Sequence, residues 1–222
     1  MKLLMHTCCA PCSVYCIDEL RKEGIEPTVY WYNPNIHPYM EYKARRDCLK
    51  EYTKSINVEA IFEEEYGLDE FCKEAIKDLS KRCTNYCYPV RIKKTFEYAK
   101  KNGYDAVTTT LLYSIYQNHN FIKELMEKYS KEYGIEFLYR DFRVGFWEGH
   151  QKAHDLGLYM QKYCGCVFSE EDRYSNRNAT IPNISNDYEM PRKPKIAVKK
   201  IENKEDYMDL LLEADPSKDM IH

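Results

Sequence analysis

The sequence predicts a doubly wound α/β fold on a mainly parallel sheet of about five strands. Three observations lead there. Short apolar or β-branched runs alternate with longer amphipathic ones, glycines stand where helices should stop before the next strand, and no apolar run approaches the roughly 20 residues that span a bilayer. The strand runs are 2–6, 28–32, 58–62, 106–110 and 135–139. Between them, helices are expected over 13–23, 39–54, 68–80, 90–101 and 117–133, then over about 148–160, with another starting near Ser169. Gly24, Gly103 and Gly134 mark helix ends. Such alternation implies right-handed crossovers, and ligands then bind beyond the carboxyl ends of the strands. The segments in that position are Thr7-Cys8-Cys9, Asn33-Pro34-Asn35, Leu111-Leu112 and Arg140-Asp141-Phe142-Arg143.

The 222 residues suffice for one domain with a substantial core. We expect a catalytic domain over 1–175 and an extension over 176–222. In the extension Pro, Asn and Lys become frequent, and a partly extended chain carries one short helix near 205–212. Hydrophobic residues at 44% and charged residues at 31% are ordinary for a globular enzyme and exclude a disordered chain. The start, with one lysine and an apolar run interrupted at His6, is no secretory signal, so a cytoplasmic protein without a membrane partner is expected. A net charge of −3 argues against general polycation binding to nucleic acid but permits local basic patches, such as Lys43/Arg45/Arg46 and Arg91/Lys93/Lys94.

Ten cysteines in a reducing compartment call for metal binding or redox catalysis, not a disulfide framework. Cys8, Cys9 and Cys12 fall between the first strand and the first helix, where free N–H groups and the positive dipole end stabilise thiolate. Adjacent cysteines pair badly with each other, which favours ligation over a disulfide. Cys83 and Cys87, with Arg82 before and Arg91 after, form a C-x-x-x-C pair that suits half of a zinc or iron–sulfur site. Cys164-Gly165-Cys166 offers three readings: a strained, easily reduced disulfide acting as an electron relay, two more metal ligands, or packing. Cys48 and Cys72 read as core, the latter on a helical face with Ala75, Ile76 and Leu79, and Cys16 reads as core or as lining of the site.

Taken in order, His6-Thr7-Cys8-Cys9-Ala10-Pro11-Cys12-Ser13, Tyr32-Asn33-Pro34-Asn35-Ile36-His37-Pro38, Arg82-Cys83 with Cys87-Tyr88 and Arg91, Thr108-Thr109-Thr110-Leu111-Leu112, Asp141-Phe142-Arg143 and Tyr163-Cys164-Gly165-Cys166-Val167-Phe168-Ser169 resemble the cobalamin-independent epoxyqueuosine reductases, the QueH family. The resemblance covers about residues 2–175, and the ordered set is far more specific than any one motif. It implies an iron–sulfur oxidoreductase that reduces epoxyqueuosine to queuosine at the wobble position of tRNA, the last step of queuosine synthesis. It implies a 4Fe-4S cluster held by Cys8, Cys9, Cys83 and Cys87, with Cys12 a further candidate ligand, an additional iron ion, no cobalamin, and a redox-active pair at Cys164 and Cys166. Partners would be tRNA carrying epoxyqueuosine and an external electron donor. The family usually has two residues between the second pair of ligands, whereas Thr84, Asn85 and Tyr86 stand here, which reads as a one-residue loop insertion.

Asp141, at the end of the last strand, is a candidate catalytic residue, as a second-metal ligand or proton donor; a helix N-cap or a partner for Arg143 is the bland alternative. For a flipped wobble base, Tyr39, Tyr42, Phe142, Phe146 and Trp147 could stack, and Arg45, Arg46 and Arg143 could meet phosphate. A rival from another class is a zinc-stabilised RNA-binding protein without redox activity. An ATP-dependent enzyme with a pyrophosphatase loop is rejected, because Cys8-Cys9-Ala10-Pro11-Cys12 has no glycine to let backbone approach phosphate. The likeness to that Rossmann-like, HUP-like architecture survives as a fold analogy.

Overall fold

Leu3, Leu4 and Met5 are completely shielded from solvent, and the strand they begin, β1 (Leu3–His6), is the centre of the sheet. In the computed structural model, which describes residues 1–175, β1 lies between β2 (Pro27–Trp31) and β4 (Ala106–Thr109). β3 (Ala60–Phe62) and β5 (Glu136–Phe137) form the edges, giving the order β3-β2-β1-β4-β5. Every pairing is parallel, and His6 stands opposite both Tyr30 and Thr109. β1, β2 and β4 are buried at every residue, which is why they read as unbroken apolar or β-branched runs.

The helices are α1 (Ala10–Lys22), α2 (Tyr39–Ser55), α3 (Leu68–Ala75), α4 (Tyr88–Lys101), α5 (His119–Tyr133), α6 (Phe146–Asp155) and α7 (Val167–Tyr174). Crossovers run outward from β1 through α1 and α2, and from β4 through α5 in the opposite direction; with the right hand that parallel crossovers take, the two sets cover opposite faces. Consistently, α1 packs on α2 and α6, while α4 packs on α5. The strand order reverses between β1 and β4, and in a doubly wound sheet a crevice opens at that point. The expected fold is therefore the observed one. Among the described residues no helix is long and apolar enough to cross a membrane. The extension expected from 176, with its short helix near 205–212, lies outside the described residues.

Several boundaries differ, for local reasons. The first helix begins at Ala10 and not at 13, because Pro11 in the first turn forfeits no hydrogen bond there, and this brings Cys12 into the helix. The helix expected over 68–80 stops at Ala75; Asp78 accepts the N–H groups of Ser80 and Lys81 and starts a separate 3₁₀ turn, Leu79–Lys81. The expected apolar face is thereby broken: Phe71 and Ala75 are buried, but Ile76 is 69% and Leu79 44% exposed. The helix expected over 148–160 is instead Phe146–Asp155, followed by Gly157 in a left-handed conformation.

The largest departure is at the second cysteine pair. Cys83–Cys87 is not a loop but a π-helical turn in which the Tyr88 N–H reaches back five residues to the Cys83 carbonyl. It runs directly into α4, so the three residues between the cysteines are accommodated in a widened helical turn.

Close approach of α6 to α1 rests on Gly149, where an added Cβ would lie 2.7 Å from Tyr15 Cβ and 2.7 Å from the Tyr113 hydroxyl. In an open helix Gly→Ala gains about 1 kcal/mol of helix propensity. Here the overpacking penalty of roughly 1–3 kcal/mol opposes it and should win, because Tyr15 Cβ is fixed to its own backbone. Gly149→Ala is expected to lower the urea midpoint of unfolding at unchanged slope, and a raised midpoint would show that the two helices can part freely.

Candidate metal centre

The ladder continues one residue past β1, with the Thr7 N–H on the Tyr30 carbonyl at 2.9 Å, before the chain turns into α1. Cys8 and Cys9 thus stand at the head of α1 and Cys12 within its first turn. Their three sulfurs lie within 4.8 Å of one another, and those of Cys8 and Cys9 are 3.8 Å apart. Cys9 and Cys12 are buried and Cys8 is half-buried. Among the described residues this is the one set of three or more candidate ligand atoms gathered so tightly.

Two side chains aim donors at these sulfurs. From the end of β4, the Thr110 hydroxyl accepts the Cys8 N–H at 3.2 Å and donates to Cys8 Sγ at 3.5 Å. From the segment after α6, Gln161 Nε2 donates to Cys9 Sγ at 3.0 Å and to Cys12 Sγ at 3.7 Å. Hydrogen bonds from Cys12 and then Cys9 hold the Cys8 thiol well below its ordinary value, although burial opposes this. Burial raises Cys9, and hydrogen bonding to Cys8 raises Cys12. Cys8 is therefore the most acidic of the three thiols, and its two neighbours favour its thiolate. Next to it, burial and then the nearby Arg91 push the His6 imidazole down to about 3. Neutral His6 donates Nε2–H to the Tyr32 carbonyl and accepts the Thr109 hydroxyl at Nδ1.

Four further cysteines, Cys83, Cys87, Cys164 and Cys166, act on one another. Cys87 and Cys166 are buried together with Phe71, Ala75 and Tyr86. A hydrogen bond from Cys87 brings the half-buried Cys83 thiol down to about 6; burial opposes this, and Arg82 and Arg91 add to it. Cys164 stands at an exposed rim, where the surrounding chain and then Cys83 and Cys166 push its thiol up to about 11. Two guanidinium groups, 2% and 3% exposed, serve both groups: Arg45 acts electrostatically on Cys9 and Cys164, and Arg91 on His6, Cys83, Cys87 and Cys164. Buried cations beside clustered thiols favour thiolate.

The segment carrying Cys164 is tightly held. Arg45 donates to the Cys164 and Tyr163 carbonyls at 2.8 and 2.9 Å, the His37 N–H to the Gly165 carbonyl at 2.7 Å, and the Tyr163 hydroxyl to the His37 carbonyl at 2.9 Å. Gly165 has φ of 157°, and a Cβ there would press on Ile36.

With a cysteine triad at the sheet's switch point, the sequence profile described as Epoxyqueuosine reductase QueH matches residues 3–172, most of the chain and every cysteine in it. The chain belongs to the epoxyqueuosine reductase QueH family. A relative of that name from Dehalococcoides mccartyi is 35% identical over 178 residues, covering 80% of this chain and 97% of the relative. Another, from Thermotoga maritima, is 34% identical over 77% of this chain and 91% of its own length. A third, from Haemophilus influenzae, is 32% identical, covering 81% and 76%.

The structure draws Cys8, Cys9 and Cys12 into one cluster, and Cys83 and Cys87 stand outside it: Cys87 packs with Cys166, while Cys83 bonds to Cys87 and packs against the core that holds the triad. Cys164 and Cys166 are free thiols. Asp141 caps the turn Phe142–Gly145 and grips Arg143 with both carboxylate oxygens, at 2.8 and 2.6 Å. Burial works against ionisation there, but the Arg143 hydrogen bonds outweigh it and hold the carboxyl below its ordinary value. The three arginines expected to meet phosphate each have partners within the chain. Arg45 is buried on Glu41 and two carbonyls, Arg46 pairs with Asp47 and Glu64, and Arg143 pairs with Asp141. Tyr42, Phe142 and Phe146 are core residues, whereas Tyr39 is 49% exposed. Cys16 is core, and Cys48 is only half-buried, accepting the Tyr159 N–H.

Sequence reasoning missed Gln161 and the donor role of Thr110. Thr110 closes a run of three threonines at a strand end, which was a usable signal. Gln161 has none, since its contact with Cys9 joins residues 152 apart in the chain.

In metal-free protein, Cys83 should alkylate ahead of Cys164 at pH 7 despite its lesser exposure, because the thiolate is the nucleophile. Its rate should fall as pH drops through about 6, while the Cys164 rate should climb into the alkaline range towards about 11. Peptide mass spectrometry after brief iodoacetamide treatment checks this, and faster labelling of Cys164 at pH 7 would contradict it.

Proposed function

We propose that this chain is an epoxyqueuosine reductase that acts on tRNA and that its thiolates hold a 4Fe-4S cluster. The observation that carries the reading is the largely buried cysteine triad at the β1/β4 switch point of a chain matched along residues 3–172 by this family. The donor set fits a thiophilic metal. All five proposed ligands are cysteine, two side-chain donors already point at sulfur, and two buried guanidinium groups offset the negative charge that bound thiolates would bring. Cys8, Cys9, Cys83 and Cys87 are the proposed cluster ligands. Cys12, beside the first two, is a further ligand or a holder of an additional iron ion.

Deoxygenating an epoxide consumes two electrons and two protons and yields an alkene and water. When bound, the cluster would supply the electrons and an iron the Lewis acidity that polarises the departing oxygen. The chain contributes the rest. The enclosed head of α1 keeps water from the sulfurs, and Arg45 and Arg91 hold positive charge beside them. Arg45, Tyr163 and His37 fix Cys164 and Cys166 in position to pass electrons inward from an external donor, which is the role proposed for that pair. Asp141, held ionised by Arg143, is poorly suited to deliver a proton at neutral pH, and its proposed part is to shape the turn at the site's edge. We place the reaction in the cytoplasm, where reduced thiols and tRNA coexist.

Anaerobically prepared protein should carry about four irons with matching sulfide, and one iron more if the additional site is filled. With a low-potential reductant and without cobalamin it should convert epoxyqueuosine in tRNA to queuosine, seen by nucleoside mass spectrometry as loss of one oxygen. Cys8→Ser or Cys9→Ser should abolish the cluster, whereas Cys164→Ser and Cys166→Ser should keep the iron and lose turnover. KM should rise with salt, because phosphate contacts release counterions. Stoichiometric zinc without sulfide, or no conversion by protein with an intact and reducible cluster, would overturn the reading.

A further inference from the structure

Gln161 is unlike the other polar side chains near the cysteines in how its two ends are used. Its Nε2 reaches two sulfurs, Cys9 at 3.0 Å and Cys12 at 3.7 Å, while its Oε1 is buried with no hydrogen-bond partner among the described residues. A buried, unpaired amide oxygen costs roughly 1–3 kcal/mol. Among the described residues nothing on the carbonyl side offsets that cost, so the side chain's placement follows from what its N–H groups meet. Turning the amide over would set a carbonyl dipole against two sulfurs, which is repulsive once they are thiolates.

The loop does not need this contact to stay in place. Residues 163–165 are already tied down by Arg45 on two carbonyls, by Tyr163 on the His37 carbonyl and by the His37 N–H on Gly165. The bond from Gln161 to sulfur is thus surplus to anchoring, yet it is the shortest side-chain donor contact to any cysteine sulfur in the site, ahead of Thr110 on Cys8 at 3.5 Å and Gln117 on Cys164 at 3.4 Å.

We propose that Gln161 is a positioning residue that raises the reduction potential of the thiolate-bound centre by donating N–H to the sulfurs of Cys9 and Cys12. The inference rests on the iron–sulfur reading above. Reduction adds an electron whose charge spreads onto the ligand sulfurs, so a donor to sulfur stabilises the reduced form more than the oxidised one. Arg45 acts on Cys9 in the same sense, but through charge and at longer range, and Gln161 adds a short, directed contact. Because Gln161 lies three residues before Cys164, the segment that brings the proposed relay to the site also carries the group that makes the cluster easier to reduce.

The test is Gln161→Met, which keeps the side-chain length and removes the N–H. In anaerobically reconstituted protein, iron and sulfide per chain should equal wild type. At a fixed applied potential the ratio of reduced to oxidised cluster should fall about tenfold, equivalent to about 59 mV for a one-electron couple. In parallel, wild-type protein labelled with ¹⁵N at the glutamine amide should show nitrogen coupling to the reduced cluster in pulsed electron paramagnetic resonance. An unchanged potential in a variant with its full cluster would overturn the inference and leave the iron–sulfur reading intact. Wild-type protein free of iron and sulfide would overturn that reading and the inference with it. If the variant comes without its iron, the ¹⁵N spectrum of wild type decides: coupling supports the role, and its absence removes it.

Discussion

The hydrogen-bonded register that seats β1 between β2 and β4 decides where the first cysteines can stand. With His6 opposite both Tyr30 and Thr109, the next residues of β1 and β4 emerge side by side, and Cys8 meets Thr110 through both its N–H and its sulfur. The buried His6–Thr109 bond, at 2.9 Å, ties the same two strands through side chains. A slip of one residue would turn every side chain of β1 to the opposite face and carry the cysteines out of reach of the threonine. Complete burial of Leu3, Leu4 and Met5 makes such a slip expensive, so core packing and site geometry are two readings of one constraint.

The electrostatics follow from the same enclosure. Thiols gathered in a buried crevice resist ionisation, and this chain counters that resistance by burying two arginines that are hydrogen-bonded within the chain. Arg45 is held by Glu41 and two carbonyls, and Arg91 donates to the Cys87 carbonyl at 2.6 Å. A buried guanidinium anchored by hydrogen bonds to the chain brings positive charge at a fixed place, which makes it a durable neighbour for thiolates.

Much of the fold was legible because its signals are local. Apolar runs marked β1, β2 and β4, and glycine after α5 marked its end. The cysteines at the head of α1 were legible for a similar reason, since a strand end followed by a helix start specifies a place in the sheet. What failed depends on partners distant in sequence. Arg45 looked like a surface cation because nothing nearby reveals that the carbonyls of residues 163 and 164 will close over it. The helical face of Cys72, Ala75, Ile76 and Leu79 fit the periodicity, but the Asp78 turn ended the helix before that face could form. Gln161 was invisible because a glutamine in a loop carries no pattern, and its role exists only through sulfurs on another element.

The π-helical turn at Cys83–Cys87 has a consequence for how this protein can vary. One extra residue inside an α-helix would rotate everything after it by about 100° and swing Ile92, Phe96 and Ala99 away from the core they fill. Drawn into a wider turn at the very head of α4, the same residue adds contour length without torque. The turn works as an expansion joint. A change of one residue in the separation of the two thiols would leave the helix behind it, with the sheet face it covers, in phase.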